Sequence, residues 1–234
     1  YFKADNKPIT QIDVNGFGAC VVTTTKDVYC TDTYAGSSYG GVDQYVQKPG
    51  VIGGSVERVA KGDGYACAVV TSGDVYCWGD GGEYGSGTNK RPFFGSGTQY
   101  QGRTNTPVLA ALIPPNPLKL EAGNKATCAT YGTGSVSCWG GQSFSARHKD
   151  VVDFQFSESG RKCTINSLSQ LTCETGVNNY VITSDDVASF GIGSYHVCLI
   201  KNDGKSYCGG NGGYGELGNG IRNGSSTLVP VVGK

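Results

Sequence analysis

A chain of 234 residues with 19 basic and 19 acidic side chains carries no formal charge excess, which argues against nucleic acid, an anionic membrane or a strongly acidic partner as its ligand. It holds 38 glycines and no methionine, and its short apolar runs, bounded by Gly, Asn, Asp, Ser or Thr, are too brief for a membrane helix or an amphipathic bundle. What remains is an all-β chain, read as one domain over residues 1–234.

Residues 1–8 show neither a basic nor an apolar leader, so a processed, secreted product is expected. Residues 9–14 then read as a strand, followed by a hairpin between Cys20 and Cys30. The same order returns with residues 56–60 before Cys67 and Cys77, and with 118–122 before Cys128 and Cys138. Residues 151–156 precede Cys163 and Cys173, and 187–191 precede Cys198 and Cys208. Every cysteine pair has the same ten-residue separation, so the chain is five copies of one unit. Residues 107–112 and 180–183 are candidate outer strands placed ahead of the following unit, which makes four strands per unit. Long Gly-, Ser-, Thr- and Tyr-rich insertions fall at 31–47 and 79–106, a length usual for functional loops.

Four-stranded units repeated around a ring describe a five-bladed β-propeller. The first unit lacks an outer strand and a spare strand, 228–232, follows the last. The expectation is that this C-terminal strand completes the first blade and closes the ring.

Within each hairpin the loop has three residues, commonly a type I turn followed by a residue in the left-handed region. The third position is Gly73, Gly134 and Gly204 in three copies, and Lys26 and Ser169 in two. This register sets the two cysteines of a pair opposite one another, where the Cα atoms approach to about 4.5 Å and a bridge closes. Zinc is the rival, but zinc sites favour C-x-x-C knuckles. Five bridges within single hairpins are therefore expected, each stabilising by about 2 to 3 kcal/mol at most, in a protein kept out of the reducing cytosol.

The stretch from Val56 to Asp80, which ends Val-Tyr-Cys77-Trp-Gly-Asp, resembles the repeat of the regulator of chromosome condensation family. So does the last copy, with Gly193-Ser-Tyr-His-Val-Cys198 and the glycine-rich run from Gly210 to Gly220. The resemblance implies a propeller. The founding member is a nuclear exchange factor with more blades, and five cysteine-paired copies without a basic patch give no ground for carrying its activity over. Secreted propeller-type inhibitors of β-lactamases and five-bladed or tectonin-type lectins are similar in architecture.

Gly36 to Gly40 reads G-x-S-x-G, but the nucleophile elbow needs a following helix and acid and histidine partners. Gly210 to Gly215 reads G-x-G-x-x-G without a helix to hold a pyrophosphate. His148 and His196 are too few for a three-histidine zinc site, and Asp185, Asp186 and Asp203 are read as turn residues. No enzyme, metal or cofactor is expected. The aromatic surplus carries the functional reading. Trp78, Asp80, Tyr84, Trp139, Asn211 and Tyr214 are candidate ligand residues, with Tyr84 and Tyr214 in equivalent turns, where rings stack on a sugar and polar groups read its hydroxyls. Burial between blades is the competing reading for both tryptophans. A secreted glycan-binding propeller leads; an extracellular protein-binding propeller, an inhibitor or an assembly subunit, is the alternative. Asn223 opens an N-glycosylation sequence.

Overall fold

Each cysteine pair lies on two strands joined by the same turn five times over. Lys26, Gly73, Gly134, Ser169 and Gly204 all have positive φ, between 59° and 88°. In four of the turns the amide of this residue donates to the carbonyl three positions earlier, as Gly73 does to Val70 at 2.7 Å. Glycine meets this demand freely, whereas Lys26 and Ser169 meet it against their own Cβ sterics. The turn sets the register, each first cysteine pairs directly with its second, and all five bridges close within their own hairpins with Cα atoms 4.0–4.1 Å apart.

This computed structural model describes residues 6–15, 18–31, 52–80, 83–84, 91–92, 103–123, 126–140, 150–157, 161–174 and 181–232, none of them helical. Five antiparallel sheets, one per bridge, hold all of their strands except one small two-stranded pair. The first blade is β1 (Ile9–Asn15), β2 (Gly18–Thr23) and β3 (Val28–Cys30). The second is β4 (Val56–Lys61), β5 (Tyr65–Val70) and β6 (Val75–Asp80); a small pair, β7 (Glu83–Tyr84) with β8 (Arg91–Pro92), precedes its fourth strand, β9 (Arg103–Leu109). The third is β10 (Lys119–Ala122), β11 (Ala126–Thr130) and β12 (Val136–Gly140). The fourth is β13 (Val151–Phe156), β14 (Lys162–Asn166), β15 (Leu171–Glu174) and β16 (Val181–Ser184). The fifth is β17 (Val187–Ile192), β18 (His196–Lys201), β19 (Ser206–Gly210) and β20 (Ser225–Pro230).

The fourth strands correct the expected closure. β9 pairs with β6, β16 with β15 and β20 with β19, so each outer strand finishes the hairpin before it instead of opening the unit after it. Cys208 faces Val229 in the last sheet; the C-terminal strand belongs to the fifth blade and does not complete the first. Strands consecutive in sequence pair as a meander, because the chain needs only a turn or a short excursion to reach the adjacent edge. Three sheets have four strands and two have three among the described residues. Most of the insertion at 31–47 lies outside them.

Contacts divide the chain into two compact units, Tyr1–Gly132 with Val136–Ser143, and Thr133–Ser135 with Phe144–Lys234. In the first, the Cys20–Cys30 face packs on Val59, Ala66, Ala68 and Trp78 of the second blade, and the Cys67–Cys77 face packs on Leu120, Ala129 and Trp139 of the third. In the second unit, Cys163, Ile165, Leu171 and Cys173 pack on Val187, Val197 and Leu199. The rule repeats: the bridged face of one blade is buried by the unbridged face of the next.

Polar groups mark the same seams. Val56 donates to the Lys26 carbonyl at 3.0 Å, Asn116 to Gly73 at 2.9 Å, Val151 to Gly134 at 3.0 Å and Val187 to Ser169 at 2.9 Å. Each of these four left-handed turn residues thus turns its carbonyl toward the chain entering the following blade. Asp13 accepts from the Lys61 amide at 2.7 Å, and Gln155, at the matching position opposite a first cysteine, accepts from the Ile192 amide at 3.2 Å. Tyr65, fully buried, donates to the Ala126 carbonyl at 2.6 Å and lies 3.0 Å from the Thr127 hydroxyl.

Candidate functional site

The glycine-rich run after β19 forms a pinned turn. The Asn211 amide donates to the Tyr195 carbonyl at 2.7 Å, Gly215 to Gly212 at 3.0 Å and Gly218 to Gly215 at 3.1 Å. Asn211 Oδ1 accepts from the Gly213 amide at 3.2 Å, and Glu216 Oε2 accepts from the Tyr214 amide at 2.8 Å. The Glu216 carboxyl is held below its ordinary value by its own backbone amide first and that of Tyr214 second, because both bonds favour the ionised form. Leu217 is fully buried and anchors the turn. At Gly212 glycine is required by proximity: a Cβ there would lie 2.1 Å from the Asn223 carbonyl oxygen. The outcome is a tyrosine, Tyr214, that is 90% exposed on a backbone with little freedom.

The remaining candidates do not join it. Trp78 is 1% exposed and Trp139 7%, each packed into the seam between two blades, which takes both indoles out of the set of stacking platforms and corrects their assignment to ligand binding. An inward ring following the second cysteine fills the space that the small residues Ala66, Ala68 and Ala129 leave in these seams. Asp80 is partly buried, its amide bonded to the Gly64 carbonyl at 2.9 Å. Tyr84 lies in β7, opposite Arg91, and is not in a turn equivalent to that of Tyr214. Asn211 and Tyr214 share one exposed turn, while Trp78, Asp80, Tyr84 and Trp139 lie in the other compact unit.

Asn223, whose carbonyl lies against Gly212 of that turn, is exposed. The acidic residues read as turn formers have local partners: Asp185 accepts from Gln170 at 2.9 Å, Asp186 from Asn202 at 2.6 Å, and Asp203 pairs with Lys205 at 2.7 Å. Residues 36–40, the G-x-S-x-G match, lie outside the described residues. Leu217 is the anchor that the sequence reading passed over. Its signal was present, since it is the one aliphatic side chain between Gly209 and Gly220.

No curated protein matches the chain by sequence. The Regulator of chromosome condensation (RCC1) repeat matches residues 56–86, which span β4 to β7. Human WBSCR16 is similar over 96% of this chain and 67% of its own, at 15% identity and a TM-score of 0.70. Prp20p from Saccharomyces cerevisiae, solved in connection with its binding to Gsp1p and histones, is similar over 99% and 65%, at 12% identity and a TM-score of 0.73. The CRINKLY WD40 ectodomain of the Arabidopsis thaliana receptor kinase ACR4 follows at 14% identity and a TM-score of 0.54, over 86% and 63%. With one bridged sheet per repeat, the protein is a β-propeller of five blades. One of its repeats matches the RCC1 repeat, its fold is similar to that of these propellers, and it spans about two thirds of the length of the solved structures it matches.

Proposed function

We propose that this propeller binds another protein, and that it docks through the glycine-rich turn of the fifth blade. The carrying observation is Tyr214, 90% exposed on a hydrogen-bonded turn anchored by Leu217. A rigid exposed aromatic loses little conformational freedom on association and is a common centre of interface energy. Prp20p, similar in fold, was solved in connection with its binding to Gsp1p and histones, which supports the same use of the scaffold here. Five disulfides suit a site of action outside reducing compartments.

Glycan binding is the second reading, and what favours it is the pair Asn211 and Tyr214, an amide and an amphipathic ring on one exposed turn. It has lost two of its stacking platforms to the core.

The two separate by experiment. A photo-crosslinking residue replacing Tyr214 in the oxidised protein should join it to one protein of the surrounding secreted fraction. Tyr214→Ala should weaken that complex at least about tenfold with the fold unchanged. Selective retention on a glycan surface, lost with Tyr214→Ala and accompanied by no protein adduct, would replace the protein reading with the sugar one.

A further inference from the structure

Asn223-Gly224-Ser225 is the one stretch of the whole chain in which an asparagine stands two residues before a serine or threonine with no proline between them, the acceptor pattern for an N-linked sugar. The fold keeps this stretch accessible. Residues 220–224 are all exposed, and β20 begins at Ser225. Asn211 and Asn219, earlier in the same run, turn their side-chain oxygens back on the amides of Gly213 and Ile221, each at 3.2 Å. These two shape the turn.

The acceptor stretch lies against the docking turn. A Cβ on Gly212 would stand 2.1 Å from the Asn223 carbonyl oxygen, and one on Gly224 would stand 3.0 Å from the Gly210 carbonyl oxygen. Ser225 pairs with Gly210 in the sheet, and its hydroxyl donates to the Thr227 carbonyl at 2.7 Å. The Gly212 contact, followed by two peptide spacings along the chain, brings the Cα atoms of Asn223 and Tyr214 to within roughly 14 Å of each other. A chain of several sugars spans that distance. Five bridges of the kind seen here form in oxidising compartments such as the endoplasmic reticulum lumen, which is also where N-linked sugars are attached.

We propose that Asn223 carries an N-linked oligosaccharide that flanks the docking turn of the fifth blade. In the attachment the Asn223 Nδ2 displaces a lipid diphosphate from the anomeric carbon of a preassembled oligosaccharide. The new C–N bond replaces the sugar's C–O bond, the amide gives up one proton to a base of the transferase, and the lipid diphosphate leaves. A bulky, hydrated chain there screens Ile221, 59% exposed and two residues upstream. It also makes any partner that uses Tyr214 approach past the sugar, a consequence that rests on the docking reading, whereas the attachment does not.

The full chain, secreted from a eukaryotic host with its bridges formed, is treated with peptide N-glycosidase in heavy-oxygen water, and the peptide that begins at Asn223 is weighed. The expected result is release of a sugar chain and an aspartate bearing one heavy oxygen at this position. A parallel sample without enzyme separates this from spontaneous hydrolysis of the Asn-Gly pair. Ser225→Thr should keep the sugar, while Ser225→Ala and Asn223→Gln should lose it with secretion and all five bridges intact. A secreted, oxidised protein with an unmodified Asn223 overturns the site. The position of the sugar is read by iodination of Tyr214: a peroxidase, itself the size of a protein, should react severalfold faster once the sugar is removed, while a small iodinating reagent reacts at an unchanged rate. Equal peroxidase rates with and without the sugar overturn the flanking. Neither measurement uses a partner complex, so failure here leaves the test of Tyr214→Ala standing.

Discussion

Tyr65 donates its hydroxyl proton to the carbonyl of Ala126, 2.6 Å away and sealed from solvent between the second and third blades. Its ring covers Gly62, where a Cβ would lie 2.3 Å from a ring carbon. Tyr65→Phe keeps the ring and removes the bond, so it should destabilise the oxidised protein by about 1 kcal/mol in a denaturant titration. Burial raises the hydroxyl pKa far above its ordinary 10.0. The folded state therefore holds its proton where the unfolded chain has lost it, and stability falls as pH rises past that ordinary value. The alkaline loss should be shallower in Tyr65→Phe, and equal slopes in the two proteins would contradict the buried phenol.

The turns predict opposite signs for one kind of exchange. Lys26→Gly and Ser169→Gly relieve a left-handed side chain and should stabilise by up to about 1 kcal/mol; the exposed Lys26–Glu57 pair at 3.1 Å contributes little against this. Gly73→Ala places a Cβ 2.1 Å from the Asn116 side chain and 2.9 Å from its backbone nitrogen. It should destabilise by more than the reverse exchanges stabilise. Thermal midpoints of the three variants decide the matter.

Asp13 supplies a pH-dependent term with a definite sign. Burial raises its pKa above the ordinary 3.8, and this outweighs the Lys61 amide, the Val14 amide and the charges of Lys119 and Lys61, all of which lower it. A raised carboxyl pKa means that stability is fully present below the ordinary value and declines as pH rises through the folded one. Asp13→Asn should remove this decline, starting from about pH 4, while still accepting from Lys61. Gln155 shows that an amide serves in the matching position. Parallel stability curves for wild type and Asp13→Asn between acid and neutral pH would refute the assignment.

The bridges should act singly. Replacing Cys163 and Cys173 together by alanine is expected to cost at most about 3 kcal/mol and to raise hydrogen exchange chiefly in the fourth and fifth blades, whose shared core includes both sulfurs. Exchange rising equally in the first blade would show that the bridges act as one set.

The hairpins were legible because the cysteine spacing and the three-residue loop fix a register with no freedom left in it, even where Lys26 and Ser169 replaced glycine. The outer strands were legible as strands and misplaced by one blade. Residues 181–184 and 228–230 are apolar enough to pair with any open edge, and periodicity carries no record of which edge is nearest. The exposed pair Asn211 and Tyr214 was readable from glycines that deny the ring a place to hide. Trp78 and Trp139 were ambiguous because a large ring after a cysteine serves equally as core or platform, and only the bridged face of the preceding blade, distant in sequence, decides it.

Each covalent link begins and ends in the same hairpin, so the repeat is also a unit of inheritance. Copying or deleting a whole blade carries both partners of its bridge and leaves no unpaired thiol behind. A scaffold bridged between blades would have to change two repeats at once to alter its number. Here the blade count can drift by single steps, and a new copy arrives with its staple in register.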